Sequence, residues 1–509
     1  MKGAIAAGHP LTAEAGACML REGGNAVDAC LAAAFVSWVT ESPLTGPGGG
    51  GFLLIHDARD GRSRLLDFFV TVPGAGLPRG TVGPMDTVEV DFDSTIQAFR
   101  IGAASVAVPG VVAGLEAAHR RYGKVPWPVL MEPAIELARA GLEVTPEQAY
   151  LHAILDIILR HTEESRAIYG PSGNRLSAGD RLVMADFATT LELLAEGGAR
   201  AFYDGRLARE LSDHVRSSGG TLTREDLSSY RPIWRRPIAV DFVHHRVVSN
   251  PPPSSGGILI GYGLRLLDRA GLGGPAGTAG AIARVVEVMR EQRRARGPGF
   301  TRELFRGGLA RRLVEDEGVE PAAGRLLTGT THISAVDAQG NAASLTASTG
   351  SGSGVVVPGT GISLNNMLGE FDLIPAGARR VPGGRLTSMM APSIVLTDGR
   401  PRLVVGSAGS LRLGGAILQI IVNAIGHGMP VRDAINAPRV HLDEAAVHCE
   451  GGTHPDELDE LDRRGYEVVR WRRRNLYFGG AAAVEVAPDA TLAAAGDPRR
   501  GGHGIVVDA

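Results

Sequence analysis

The sequence predicts an α+β fold in which a helix-rich first half meets a strand-led second half. Between about residues 104 and 232, apolar positions recur three and four apart, as in Val111–Ala118, Ala134–Ala140 and Leu191–Leu194, which is the period of amphipathic helices. After residue 330 short apolar runs take over. Thr331–Val336 and Ala342–Thr346 flank a Gln339-Gly340-Asn341 turn, and further strands are expected near Ile394–Leu396 and Leu403–Val405.

The elements follow in order. Leu11–Arg21 and Asn25–Val39 read as helices separated by Gly23-Gly24, and the glycine run at 46–51 as a tight loop. Phe52–His56 and Leu65–Phe69, on either side of Asp60-Gly61, form a hairpin packed on those helices. The apolar run Ala29–Val39 is too short to span a bilayer and contains Ser37, so it is a buried helix. The stretch from Pro251 to Gly257 breaks the helical period, and the Arg-rich segment from about Arg290 reads as mobile or exposed, ending near Gly329. A helix over Ala416–Ile425 is closed by Gly426, and another spans Val431–Asn436.

With 509 residues, 44% hydrophobic and 21% charged, the chain has enough apolar material for a packed body, as one large fold or two domains. The formal charge of -3 gives no field toward phosphate backbones or anionic lipid, so neither nucleic acid nor membrane is an expected partner. Arg470, Arg472, Arg473 and Arg474 around Trp471 are a local exception, read as a solvated strand end. Cys18, Cys30 and Cys449 form no CxxC pair, and Ala4-Ile5-Ala6-Ala7 is too short for a signal-peptide core; a reducing, cytoplasmic setting is expected. The chain lacks G-x-S-x-G and H-E-x-x-H, and its fourteen histidines are dispersed, which disfavours a nucleophile-elbow hydrolase and a metal site. The glycine runs at 46–51 and 350–354 lack the G-K-[ST] ending of a phosphate loop, and no cofactor is expected.

One segment is more specific. Gly329-Thr330-Thr331-His332-Ile333-Ser334-Ala335-Val336-Asp337 resembles the processing site of gamma-glutamyltranspeptidases. The resemblance extends over nearly the whole chain, through Gly23-Gly24-Asn25-Ala26-Val27-Asp28-Ala29, Val108-Pro109-Gly110, Pro252-Pro253-Ser254-Ser255-Gly256-Gly257, Leu364-Asn365-Asn366 and Asp497-Pro498-Arg499. It implies a four-layer αββα sandwich of the N-terminal-nucleophile type, cut between Gly329 and Thr330 into two intertwined chains. The large chain, 1–329, would be the helix-rich half, and the small chain, 330–509, would begin with the catalytic threonine. A threonine hydroxyl is a poor nucleophile until a base takes its proton, and a freed α-amine, of unperturbed pKa roughly 7.7–8.0, is such a base. Before cleavage that nitrogen is an amide without basicity.

The resemblance also implies the rest of the site. Ser348 matches the hydroxyl that assists the nucleophile, and Gly409 and Ser410 match the oxyanion-stabilising glycine pair. Glu370 stands for the acid that binds the substrate amine, and Thr387-Ser388 for a hydroxyl pair. Three positions depart from the family. Phe69 replaces the arginine that clamps the substrate α-carboxylate, Gly350 stands where a polar residue is common, and Met367 where Gln or Glu is common. Arg100 and Arg412 are candidates to compensate. A small-molecule gamma-glutamyl-like amide is the expected substrate. The alternatives are a C–C bond hydrolase in alkylproline-type antibiotic biosynthesis, as in recruited family members, and an unprocessed non-catalytic homologue.

Overall fold

The computed structural model describes residues 2–78, 80–91, 96–296, 299–306, 308–315, 330–370, 373, 381–409 and 411–508. Two large sheets are built from β1 (Gly3–Ala7), β2 (Gly50–Asp57), β3 (Arg62–Phe68), β4 (Ile233–Arg235), β5 (Ile238–Phe242), β6 (His245–Ser249), β7 (Thr331–Asp337), β8 (Ala342–Ser348), β9 (Ser393–Thr397), β10 (Arg400–Ala408), β11 (Gly480–Val486), β12 (Leu492–Gly496) and β13 (His503–Val507). The first sheet has the order β13-β1-β7-β8-β2-β3-β4 and the second β12-β11-β10-β9-β6-β5. Neighbouring strands in both are antiparallel. Helices α1 (Pro10–Arg21) and α2 (Ala26–Thr40) cover the first sheet, while α3 (Gly256–Ala270) and α4 (Leu411–Ile421) cover the second. The architecture is therefore the αββα sandwich.

Side-chain alternation in β7 decides which layer each residue joins. Ile333 and Ala335 pack into the apolar cluster beneath α2, whereas Val336 joins the cluster that includes Val404, Val405 and Ala482 of the second sheet. Helix α2 is apolar on all sides and every residue of it is buried, as expected for a helix enclosed by protein. Its start is fixed by a capping box: the Asn25 side chain accepts from the Val27 and Asp28 amides, and the Asp28 carboxylate accepts from the Asn25 amide. Asp337, the last residue of β7, accepts from the Ala26 amide at 3.1 Å, tying the end of that strand to α2. Both sheets contain strands from before and after residue 330, so the chain forms one interleaved fold.

Several sequence expectations need amendment. Ala4-Ile5-Ala6-Ala7 lies in a central strand paired to β7 and β13; small apolar residues buried on both faces leave no alternation to read. The helix expected over Ala416–Ile425 begins at Leu411 and gives way to a π-turn over Val422–Gly426, because Gly414 and Gly415 blur its period. Arg290 lies inside a helix, Ala279–Ala295, followed by another over Phe300–Arg306, rather than in an exposed segment. Residues 316–329, including Gly329, lie outside the described residues. Arg470 ends a strand and pairs with Asp459 and Asp462, while Trp471 is buried and stacks on Tyr477. Among the described residues, no helix is long and apolar enough to cross a membrane.

Candidate active site

Thr330 immediately precedes β7 and is 1% exposed. It lines a small cavity with Gly8, Glu41, His332, Ala408, Gly480 and Arg500 among its walls. The β7–β8 register pairs Thr331 with Ala347, and continuing it by one residue sets Ser348 opposite Thr330. The Ser348 Oγ accepts from the Gly350 amide at 2.7 Å. Gly350 adopts φ +73°, and a Cβ there would lie 2.1 Å from Asn366 Oδ1 and 2.9 Å from Glu370 Oε1. Thr330, Ser348, Gly350 and Glu370 thus form a continuous path from the candidate nucleophile to a buried carboxyl group.

The loop holding Glu370 is anchored by the two asparagines before it. Asn365 donates to the carbonyls of Gly48 and Ala107 and accepts from the Ala107 and Met367 amides, joining three segments. Asn366 donates to Ser351 Oγ and accepts from the Ser351 amide. Such buried amides are fully used, which explains why the Leu-Asn-Asn run sits here.

Gly409 follows the last residue of β10 and precedes α4, with φ +117° and its α-carbon side against Gly479, so a strand-to-helix junction stands where the oxyanion donors were expected. Ser410 lies outside the described residues. Thr387 Oγ1 donates to the Leu373 carbonyl. Ser388 accepts at Oγ from the Met390 amide, and its carbonyl receives Ser254 and Ser255, so it braces the Pro-Ser-Ser loop.

Phe69 is buried and stacks on Phe52 with centroids 5.4 Å apart, in the same apolar cluster as Met367. Its carbonyl receives the Tyr230 hydroxyl and the Arg385 guanidinium. Of the two candidate arginines, Arg412 is buried with its guanidinium 4.0 Å from the Tyr477 ring centre. Burial lowers its pKa to about 10. Arg100 is exposed, and its backbone lies against Asn366 and Gly369 beside Glu370.

Two residues the sequence reading passed over share the Thr330 cavity. Arg500 Nη1 donates to the Thr330 carbonyl at 2.8 Å, and Glu41 accepts from Thr331 Oγ1 at 2.6 Å. Glu41 had a signal: an acid ending a helix opposes the helix dipole, a local rule broken without local gain. Arg500 directly follows the Asp497-Pro498-Arg499 run.

His332 faces the inter-sheet space, with Nδ1 against Thr346 Oγ1 at 2.8 Å and Nε2 against Ser334 Oγ at 2.9 Å. Burial pushes its pKa down to about 3. A histidine whose folded pKa is depressed leaves the unfolded chain binding more protons between about pH 3 and 6.5, so its contribution to stability is lost as pH falls through that window. Urea denaturation at pH 7 and pH 5 should therefore show a loss in wild type that exceeds the loss in His332→Gln by about 2 kcal/mol.

Comparison with known proteins agrees with this architecture. The gamma-glutamyltranspeptidase family model matches residues 12–507. The chain is 34% identical over 529 residues to the acylase ACY 1 proenzyme of Pseudomonas sp. (strain SE83), covering 99% of this chain and 94% of that one. It is 33% identical over 537 residues to the glutathione hydrolase proenzyme of Escherichia coli (strain K12), covering 98% and 90%. The crystal structure of cephalosporin acylase from Bacillus halodurans superposes with a TM-score of 0.83 at 25% identity, over 99% of this chain and 96% of that chain. A family match spanning nearly the whole chain, on an αββα sandwich, makes this protein a member of the gamma-glutamyltranspeptidase family and an enzyme of the N-terminal-nucleophile hydrolase class.

Proposed function

We propose that the chain cuts its own Gly329–Thr330 bond, that chains 1–329 and 330–509 remain together as a heterodimer, and that Thr330 then cleaves a small-molecule amide through an acyl-enzyme. The observation that carries this reading is the enclosure of Thr330 opposite Ser348 and beside the end of β10. In the cut enzyme the Thr330 hydroxyl attacks the amide carbonyl, the freed α-amine takes its proton, and the backbone N–H groups of Gly409 and Ser410 receive the oxyanion. Collapse of the intermediate returns the proton to the leaving amine, and water or a second amine resolves the ester. The interleaved strands of both sheets favour fragments that do not separate.

The acyl group proposed is gamma-glutamyl-like, its amine read by Glu370, in a head pocket bordered by Phe69, Gly350, Met367, Thr387 and Ser388. A charge-assisted hydrogen bond contributes roughly 1.5–3 kcal/mol, so Phe69 in place of a carboxylate-clamping arginine weakens glutathione-type acyl groups by about one to two orders of magnitude. Arg412 is engaged by Tyr477, and Arg100, whose backbone lies beside the Glu370 loop, is the candidate substitute on position. The loss of the clamp and the similarity to acylase ACY 1 favour a second reading, an acylase for groups without the glutamyl α-carboxylate.

Intact-mass analysis of the full chain, followed by assays with a gamma-glutamyl anilide and a 4-aminobutyryl anilide, which keeps the amine and lacks the α-carboxylate, tests both. Two fragments breaking at Gly329–Thr330, with gamma-glutamyl turnover, are expected. Preference for the 4-aminobutyryl compound would move the assignment to the acylase reading. A cut enzyme inert to both would point to carbon-acyl substrates, and an uncut wild type would overturn the mechanism.

A further inference from the structure

The bonds around Thr330 grip two consecutive residues with opposite charges. Arg500 holds the Thr330 carbonyl, and Glu41 holds the Thr331 hydroxyl. Both are walls of the Thr330 cavity; Glu41 is buried and Arg500 partly buried. Glu41 is enclosed on every side: Thr12 donates to its other oxygen at 3.4 Å, and Gly8 packs so closely that a Cβ there would lie 2.3 Å from Oε2. Arg500 Nε has no hydrogen-bond partner, so its bond to the carbonyl and its attraction to nearby carboxylates define its position.

We propose that Glu41 and Arg500 are positioning residues that act as a charge pair, fixing Thr330 in its cavity and balancing the field on its freed amino group. This rests on the reading of Thr330 as the nucleophile. Covalent geometry keeps an α-nitrogen within about 3.6 Å of its own carbonyl oxygen, so a guanidinium bonded to that oxygen acts on the amine at close range. Arg500 alone would disfavour the ammonium form and Glu41 would favour it. Burial pushes Glu41 up to about 7, against the pull of Thr331, Arg500 and Thr12, so it titrates in the range of the amine as one coupled system. Asp497, itself a wall of the cavity, attracts Arg500 while Arg439 repels it, and His332 in the cavity wall stays neutral at physiological pH.

The test is the pH dependence of kcat/KM for the anilide that the cut wild type turns over, in full-length Glu41→Gln, Arg500→Gln and Arg500→Lys, each checked for self-cleavage by intact mass. Glu41→Gln keeps the hydrogen-bond acceptor and loses the charge; its acid limb should move down by about one pH unit. Arg500→Gln should move the acid limb up by a similar amount, and Arg500→Lys should stay near wild type. If Glu41→Gln fails to cut itself, the contrast between the two Arg500 variants decides. A purely structural role would lower rates without moving the limbs in opposite directions, and that result overturns the proposal. An uncut wild type instead overturns the nucleophile reading on which it rests.

Discussion

Thr330→Ala is expected to remain one uncut polypeptide and to lose amide turnover by at least about three orders of magnitude. On the proposed mechanism the hydroxyl is needed twice, first to attack the preceding peptide carbonyl and then the substrate, and alanine supplies it for neither. On the same mechanism self-cleavage also creates the base, the freed α-amine, whose pKa of roughly 7.7–8.0 before perturbation lets it take the hydroxyl proton near neutrality. The two losses therefore cannot be separated in this variant. Thr330→Ser separates chemistry from packing: it keeps the hydroxyl and should still cut, more slowly, since the methyl that holds the rotamer is gone. Intact mass together with anilide turnover reads both effects. An alanine variant that still cut between 329 and 330 would place the nucleophile elsewhere.

The largest expected effect on stability is at Arg499. Its Nε donates to Glu450 Oε1 at 2.7 Å, Nη1 reaches the Ile435 carbonyl at 3.0 Å and Asp497 Oδ1 at 3.1 Å, and Nη2 reaches the Ala437 carbonyl at 2.9 Å and Glu450 Oε2. Both carboxylates are buried. Asp497 also pairs with Arg439 at 2.7 Å and accepts from the Ala481 amide, which ties this network to β11 beside the Thr330 cavity. Arg499→Ala removes one partner and leaves Glu450 buried without its cation, a change that costs about 3–5 kcal/mol. Urea denaturation midpoints at pH 7 measure it. Arg499→Lys should recover only part of the loss, because a single ammonium cannot reproduce the planar fork that reaches five acceptors. A loss under about 1 kcal/mol would mean that the network is solvated and does not brace β11.

The elements most legible in the sequence were those whose signal is local. The β7–β8 hairpin was marked by apolar runs around Gln339-Gly340-Asn341, and the start of α2 by Asn25 three residues before Asp28, a spacing that dictates its own hydrogen bonds. The position of Thr330 ahead of an apolar strand followed from the same local pattern, as did Gly409 between a strand and a helix.

What only the tertiary structure decided is what long-range pairing creates. The strand Gly3–Ala7 is recognisable only through its partners more than three hundred residues away. The same holds for Glu41 and Arg500, which meet Thr331 and Thr330 across 290 and 170 residues of chain, respectively. A side chain's charge and hydrogen-bonding capacity are fixed by its identity, but whether it is solvated at the surface or desolvated beside a nucleophile depends on which strands fold against it. The sequence by itself therefore determined the chemical groups available and the local elements that carry them. The tertiary structure determined which groups lost water together, and in a low-dielectric interior that selects which of them act on one another.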